Sequence, residues 1–233
     1  MEVIEIKKEK KEVNQKTVRF SDAAWYKPGI SVVIGGVGSI GSHVAYYLGR
    51  QECDMILYDM DVVDEVNLAG QLFRMSDIGK KKTDITKEMI YQLSGNKNVE
   101  VFGEFTADSM IDNYVFSCFD NMKARKLFFE AWCAIDSTDK VFIDGRTNAE
   151  QAQIFIVTPD RIDRYKEELF DDSVVPDIAC TYKSTTFCAG MVAAFMVSGF
   201  NNLMASKASG FDIADYPFKT EYNLQLFKVE TNE

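Results

Sequence analysis

One stretch decides the fold: Ser31–Asp59, which reads SVVIGGVGSIGSHVAYYLGRQECDMILYD. Its β-branched start predicts a buried parallel strand, and its apolar end before Asp59 predicts a second strand after a glycine turn and a helix. Gly36, Gly38 and Gly41 form G-x-G-x-x-G in that turn. Such a turn brings a phosphate to the helix N-terminus, and an acid after the second strand can bind a ribose. The stretch predicts nucleotide binding without separating NAD from ATP, and a tight turn with no ligand is the alternative.

The composition narrows the class of protein. Of 233 residues, 46% are hydrophobic and 27% are charged, as in a globular protein with one large domain or two small ones. The net charge of −10 disfavours nucleic acid as a partner. The five cysteines include no C-x-x-C pair, which favours reduced thiols in the cytoplasm and leads us to expect no zinc.

The sequence also bears on membrane association. The charged start of the chain lacks the apolar core of a secretion signal, so we expect a cytoplasmic protein. The most apolar stretch, Phe187–Phe200, has about 14 residues, fewer than the roughly 20 that a membrane-spanning helix needs. It therefore predicts a buried core or dimer helix and no membrane partner.

Strands and helices alternate along the rest of the chain. Further strands are predicted near 98–105, 114–119, 141–143, 152–157 and 223–229, and helices near 83–94, 121–135, 160–170 and 186–206. This order predicts an α/β fold with a Rossmann-like, doubly wound, mostly parallel sheet and a small C-terminal extension. We divide the chain into an N-terminal arm (1–28), a nucleotide-binding domain (29–170) and a part with a crossover loop, the apolar helix and a tail (171–233).

A long loop over 61–82 distinguishes between the two cofactors. Its polar residues include Asp61, Asp64, Asn67, Gln71, Arg74 and the lysines at 80–82. Loops of this length inside an α/β unit are usually functional, although a solvated loop suits the same charges. Lysine, with a metal-binding carboxylate at Asp120 after the fourth strand, suits a triphosphate attacked at its α-phosphorus. A nicotinamide cofactor needs neither group, so the loop favours ATP and Mg²⁺.

Over about 30–200, the sequence resembles the ThiF/MoeB/ubiquitin-activating family of adenylyltransferases. The matching motifs are GGVGSIGS at the glycine turn, DMDVVDEVNL at 59–68, QLFR at 71–74, DIGKKK at 77–82 and FDN at 119–121. The resemblance implies ATP-dependent adenylation of the C-terminal carboxylate of a small ubiquitin-like or sulfur-carrier protein. The products are an acyl-adenylate and pyrophosphate. A homodimer is implied as well.

The resemblance also assigns roles to single residues. Asp59 is expected to bind the ribose and Asn67 the nucleotide, Lys82 to neutralise the phosphates, and Asp120 to hold Mg²⁺. The predicted cofactor-binding residues are Gly36, Gly38, Ser39, Ile40, Gly41, Asp59, Asp61, Asn67, Gln71 and Lys82.

The sequence departs from the family pattern at Gly70, which stands where the motif N-L-x-R-Q has an arginine for the phosphates. Arg74 or the lysines at 80–81 are possible replacements, since lysine binds phosphate as a point charge. Arg19 is the only arginine before the glycine turn, and we expect it to act as the second arginine that members take from the partner subunit.

Two other functions stay open at this point. The departure at Gly70 supports a non-catalytic partner subunit or scaffold of an activating-enzyme dimer. An NAD-linked oxidoreductase is allowed by the glycine turn, but the sequence lacks a Tyr-x-x-x-Lys pair for proton transfer.

Two further residues, Cys180 and Arg146, have two interpretations each, and His43 has one. Cys180 lies in the crossover loop, where some family members carry a thiol that attacks the adenylate to form a thioester; a semi-buried structural cysteine is the alternative. Arg146 either contacts the incoming peptide or pairs with Asp144. His43, the only histidine, is expected to be an ordinary helix residue without a metal or relay partner.

Overall fold

The computed structural model describes residues 16–148, 150–171, 185–210 and 216–232, and Cys180 lies outside these ranges. One sheet runs through the described chain. Its strands are β1 (Ser31–Gly35), β2 (Asp54–Tyr58), β3 (Val99–Phe102), β4 (Tyr114–Ser117), β5 (Val141–Asn148), β6 (Gln151–Val157), β7 (Lys219–Asn223) and β8 (Lys228–Asn232). The helices are α1 (Ser39–Arg50), α2 (Lys82–Ser94), α3 (Met122–Cys133), α4 (Ile162–Glu167) and α5 (Thr186–Ser209).

The strand order in the sheet is β3-β2-β1-β4-β5-β6-β7-β8. The first five strands in this order are parallel, and the pairs from β5 to β8 are antiparallel. The chain goes outward from β1 to β3 and then returns to β4 on the other side of β1. This reversal opens a crevice at the carboxyl ends of β1 and β4, the usual ligand site of such sheets. The predicted doubly wound, mostly parallel core is confirmed, with an antiparallel extension.

Apolar residues cover both faces of the sheet. One layer joins β1 and β2 to α1 and α5, with Ile34, Leu48 and Met196 at its centre. The other joins the sheet to α3 and α4 and is built largely of aromatic rings, among them Phe128 and Tyr165. These two layers hold the parallel strands rigidly, so the loops at their carboxyl ends start from fixed positions.

The structure corrects three boundaries. The predicted strand at 223–229 is wrong, because 224–227 turn between β7 and β8; the side chain of Asn223 accepts a hydrogen bond from Leu226 N there. β5 continues past 143 to Asn148, since β6 pairs with it in antiparallel over that length. The predicted helix at 160–170 begins as a 3-10 turn at Pro159–Arg161, and its α-helical part is only α4.

α5 is the apolar helix, and it ends three residues later than predicted. Within the described residues it is the one helix long and apolar enough to cross a membrane, so the length argument made from the sequence does not hold. Half of its most apolar window is buried, and it packs against α1, β5 and β6. Thr185 caps its N-terminus by accepting from Cys188 N. These contacts confirm a core helix.

Candidate functional site

The glycine turn after β1 is shaped by contacts that exclude larger residues. Gly36 has a φ of +82° and donates its N–H to the carbonyl oxygen of Tyr58 at 2.8 Å. A Cβ on Gly41 would lie 1.8 Å from the carbonyl oxygen of Gly36. The turn therefore packs directly on β2 and on α1, as the sequence pattern predicts.

The other side of the turn is open. A Cβ on Gly38 would come no closer than 3.9 Å to another group, the side-chain nitrogen of Gln71. Gly38 is the N-cap of α1 and makes no side-chain cap, and the first turn of α1, which includes Ser39 and Ile40, contains no acid. The positive end of α1 and its backbone N–H groups are thus suited to an anion.

Two alanine substitutions separate packing from binding in this turn. We expect Gly41→Ala to lower the free energy of unfolding by about 1–3 kcal/mol, because its Cβ overlaps the backbone of Gly36. Gly38→Ala has room for its methyl group and is expected to fold as the parent chain does, yet to bind ATP about 10-fold more weakly or worse. Chemical denaturation and calorimetry measure the two effects. Equal ATP affinity for Gly38→Ala and the parent chain contradicts the assignment of the turn to phosphates.

Asp59 joins the glycine turn to the following loop. Its carboxylate accepts hydrogen bonds from Val37 N at 2.8 Å and from Asp61 N at 2.9 Å. Burial raises the pKa of Asp59, and the two N–H groups and the charge of Lys82 only partly offset this. The carboxylate stands at the end of β2, where ribose binding is predicted, and it also fixes the turn itself. Ribose binding by Asp59 stays a prediction.

Lys82 begins α2 and is buried beside the same loop. Its ammonium group donates to the Asp61 carboxylate at 2.8 Å; the Lys82 side chain is 7% exposed and that of Asp61 is 52% exposed. The backbone N–H of Lys82 also donates to the carbonyl oxygen of Asp61, at 3.0 Å. The structure thus gives Asp61 the role of counter-ion to the predicted phosphate-binding lysine.

The loop between β2 and α2 has a small core of its own. Val63, Phe73 and Ile85 form it. Asp77 is buried next to it and pairs with Arg74 at 3.3 Å and with Lys80 at 3.7 Å. Burial alone raises the pKa of Asp77, but the backbone N–H and charge of Arg74 outweigh it, and the net shift is downward. Arg74 and Lys80 are therefore engaged with Asp77, while Lys81 is exposed. Replacement of the family arginine by one of these residues stays a prediction.

Asn67 and Gln71 are the two predicted nucleotide-binding amides of this loop, and the side chain of Gln71 approaches the turn at Gly38. The side-chain oxygen of Asn67 accepts from Asp64 N at 2.9 Å and so closes a 3-10 turn at Glu65–Asn67. The side-chain oxygen of Gln71 is buried and has no hydrogen-bond partner among the described residues. The side-chain nitrogen of Gln71, and not this oxygen, is the atom near Gly38, so the amide offers a donor to the open face of the turn.

Two contacts that hold this loop were not predicted. Ser42 on α1 accepts a hydrogen bond from Leu72 N at 3.3 Å. Thr186, the first residue of α5, donates to the carbonyl oxygen of Ala69. A serine or threonine early in a helix usually caps its own helix N-terminus, so no local pattern indicates either contact.

Asp120 follows β4, across the crevice from the glycine turn. Its side chain is exposed and accepts a hydrogen bond from the Asn121 amide at 3.1 Å; Asn121 in turn caps α3 by accepting from Ala124 N. The described residues contain no group of three or more metal-binding side chains. A single carboxylate fits Mg²⁺, which keeps several waters and takes its other ligands from phosphates.

Arg19 lies in the N-terminal segment, away from the crevice, and His43 lies in the core. The segment after residue 16 lies at the amino edge of the sheet, since Lys16 donates to the carbonyl oxygen of Ser94 and Tyr26 to the carboxylate of Glu52. Arg19 in this segment is exposed, and its role across a dimer stays a prediction. His43 is buried in α1, with Nδ1 2.7 Å from the carbonyl oxygen of Ser39. His43 is thus packed within α1, as the sequence leads us to expect of a helix residue.

The described thiols are not activated. Burial raises the pKa of Cys53 and of Cys118 to about 12, and that of Cys188 to about 11. Burial raises the pKa of Cys133 as well. All four fit the predicted role of apolar packing residues, since the reactive form of cysteine is the thiolate.

Solved structures of two other proteins resemble this fold. The chain is similar in structure to E. coli MccB, with a TM-score of 0.71 and 16% identity over 96% of this chain and 70% of that one. It is also similar to ATP-bound E. coli MccB, with a TM-score of 0.65 and 17% identity over 88% of this chain and 63% of that one. PaaA is similar as well, with a TM-score of 0.64 and 19% identity over 88% of this chain and 64% of that one. The chain thus spans less than two thirds of the length of ATP-bound MccB, and at these identities the likeness shows the fold alone.

No curated protein sequence matches the chain significantly. A model of the ThiF family does, over residues 29–225. This range holds the glycine turn, Lys82 and Asp120, and because it covers most of the sequence, the chain belongs to the ThiF family.

Proposed function

We propose that this chain is an ATP- and Mg²⁺-dependent adenylyltransferase that activates a substrate carboxylate. The observation that carries the proposal is the position of the open glycine turn and of Asp120 on the two sides of the crevice between β1 and β4. Membership of the ThiF family supports it. MccB, described as a microcin C7 biosynthetic enzyme, has been solved with ATP and with N-formylated MccA.

The residues of the crevice suit this reaction. The substrate carboxylate oxygen forms a bond to the α-phosphorus while the bond from that phosphorus to the bridging oxygen breaks, so pyrophosphate leaves with the electron pair. A carboxylate is already a nucleophile, and no protein base is needed. Mg²⁺ bound at Asp120 supplies positive charge to the phosphate oxygens. Lys82 adds a buried cation, and the N–H groups of the glycine turn orient the phosphates.

A finer assignment follows from the family motifs. We propose that the carboxylate belongs to the C-terminal tail of a small ubiquitin-like or sulfur-carrier protein, that two copies of the chain form the working enzyme, and that Cys180 then forms a thioester. Its thiolate, after loss of the thiol proton to solvent, attacks the carbonyl carbon of the adenylate, and the bond from that carbon to AMP breaks, so AMP leaves with the electron pair. Arg19 of one copy serves the site of the other in this proposal. The motifs at 59–68, 77–82 and 119–121 support the assignment.

A non-catalytic partner subunit is the second possibility. Gly70 replaces the family arginine, and Arg74 and Lys80 pair with Asp77 instead. The crevice then has one cation fewer than the family pattern provides. Against this possibility, Lys82 is buried and pairs with Asp61, and Asp120, after the end of β4, is exposed.

Exchange of labelled pyrophosphate into ATP tests the proposal. The probe is a ubiquitin-fold carrier protein that ends in glycine, and its control is the same protein with an amidated C-terminus. We expect Mg²⁺-dependent exchange with the free carboxylate only. ATP binding without exchange favours the partner-subunit function, and equal exchange with both proteins contradicts activation of the tail carboxylate.

A further inference from the structure

A buried charged cluster lies beneath the crevice, where β4 and β5 meet α3 and α4. It consists of Arg125, Asp144, Arg146 and Tyr165. Asp144 is fully buried, and the Arg125 and Arg146 side chains are 5% and 11% exposed. Two guanidinium groups share one carboxylate here, which is costly unless each group is held by further hydrogen bonds.

Arg125 connects this cluster to the residue that we assign to Mg²⁺. One arm of its guanidinium group donates to the carbonyl oxygen of Phe119 at 2.5 Å, and the other reaches the hydroxyl of Ser117 at 3.4 Å. The carbonyl of Phe119 belongs to the peptide bond that leads into Asp120. Arg125 therefore holds the backbone immediately before Asp120, while the Asn121 amide holds its carboxylate.

Asp144 in turn holds Arg125. One carboxylate oxygen forms the ion pair with Arg125, and the other accepts from the hydroxyl of Tyr165 at 2.8 Å and from Nε of Arg146 at 2.7 Å. Ser117 of β4 and Asp144 of β5 are paired neighbours in the sheet, so Asp144 lies beside the last residue of β4. The contacts form a continuous chain from α4 through β5 to the turn that carries Asp120.

Arg146 is fully engaged within the protein. It donates to Asp144, to the carbonyl oxygen of Glu168 at 3.0 Å and to Tyr165, and its guanidinium group stacks on the ring of Phe155. Of the two readings made from the sequence, the ion pair with Asp144 is the one observed. Because its donors point inward, Arg146 buttresses Asp144.

We propose that Arg125 and Asp144 are positioning residues that fix Asp120 for Mg²⁺. This inference rests on the proposed function, since it needs the ATP site to bind the metal. A buried charged cluster contributes little net stability compared with apolar packing. Its role here is to fix the geometry of the backbone before Asp120. Residues that support a metal ligand in this way typically change metal affinity 10–100-fold when replaced.

Arg125→Lys tests the proposal. It keeps the buried charge, but a single ammonium group replaces the two guanidinium nitrogens that reach Ser117 and the carbonyl oxygen of Phe119. The control is Arg161→Lys. The side chain of Arg161 is also largely buried (10% exposed) and holds two backbone carbonyls, those of Ile156 and Tyr216, which lie outside the Asp120 turn. Tyr165→Phe is the milder variant for use where Arg125→Lys does not fold, since it removes one hydroxyl from Asp144 and keeps the ring.

Two measurements are made on each variant. Titration of the ATP-saturated protein with Mg²⁺ gives the apparent metal affinity, and amide exchange of residues 119–124 without metal or nucleotide reports the order of the turn. We expect Arg125→Lys to weaken Mg²⁺ binding about 10-fold or more, to speed exchange in the turn and to leave metal-free ATP affinity unchanged. Arg161→Lys is expected to change none of these.

The outcomes separate this proposal from the function on which it rests. If the parent chain does not bind Mg²⁺ and ATP together, the proposed function fails. If it binds both but Arg125→Lys, or Tyr165→Phe in its place, binds Mg²⁺ as tightly as the parent, the positioning role is overturned. An equal loss in Arg161→Lys also overturns it, because the effect is then general softening of the fold.

Discussion

Lys82→Met is expected to slow adenylate formation by about 10²–10³-fold, the usual cost of removing one fixed electrostatic contact to a transition state. The ammonium group of Lys82 is almost fully buried, so bulk water screens its charge less than that of an exposed lysine. It also lies close enough to Asp59, which accepts from the N–H of Val37 in the glycine turn, to offset part of the rise that burial causes in the pKa of that carboxyl. Negative charge grows on the leaving phosphate oxygens during the reaction, and Met has similar length without charge. Pyrophosphate exchange under saturating ATP measures the effect.

Lys81→Met is the matched control. Lys81 precedes Lys82 and is exposed, so its charge is screened and its loss is expected to change the rate by less than about 2-fold. Lys82→Met should stay folded, because the partner Asp61 is half exposed and such pairs contribute little stability, about 0–1 kcal/mol. Equal rates for Lys82→Met and the parent chain contradict the assignment of Lys82 to the phosphates.

Asp144→Asn is expected to lower the free energy of unfolding by about 3–5 kcal/mol, the typical cost of removing one partner from a buried ion pair. The substitution leaves Arg125 and Arg146 buried without a counter-charge. Burial already lowers the pKa of Arg125 to about 10, which still leaves it charged at neutral pH. Chemical denaturation at pH 7 measures the loss.

Asp139→Asn serves as the control for this variant. Asp139 also pairs with a cation, Lys207, and accepts from the hydroxyl of Tyr114, but its side chain is 63% exposed. Its replacement is expected to cost less than about 1 kcal/mol, because solvent screens the pair. Similar losses in both variants contradict the view that the cluster around Asp144 depends on its buried charge.

Local sequence patterns were enough to predict the crevice at the carboxyl ends of β1 and β4. The glycine turn follows from backbone contacts that exclude side chains at Gly36 and Gly41, and these requirements act within a few residues. The position of Asp120 follows from the apolar strand before it and the capping Asn121 after it. These requirements involve residues close together in the chain, so a single sequence is enough to recognise them.

Other features depend on contacts between distant segments. The attachment of the 61–82 loop to α1 and α5 depends on Ser42 and Thr186, and no pattern within the loop reveals these two contacts. The hairpin of β7 and β8 was missed for the same reason, since β7 is stabilised by pairing with β6 across more than sixty residues of chain.

One signal for the buried cluster was present in the sequence. Arg125 precedes Phe128, Phe129 and Trp132 by three, four and seven residues, the spacing of a single buried helix face. A charged residue on such a face requires a buried partner. The pattern does not name that partner, because Asp144 belongs to a neighbouring strand.

Calorimetric titration with ATP, with and without Mg²⁺, and with NAD tests the central claim most directly. The account predicts that the parent chain binds ATP with Mg²⁺ and does not bind NAD. It also predicts that Asp120→Ala loses the part of the affinity that depends on Mg²⁺, because Asp120 is the carboxylate at the crevice. Binding of NAD in place of ATP, or the same Mg²⁺ dependence in Asp120→Ala, contradicts it.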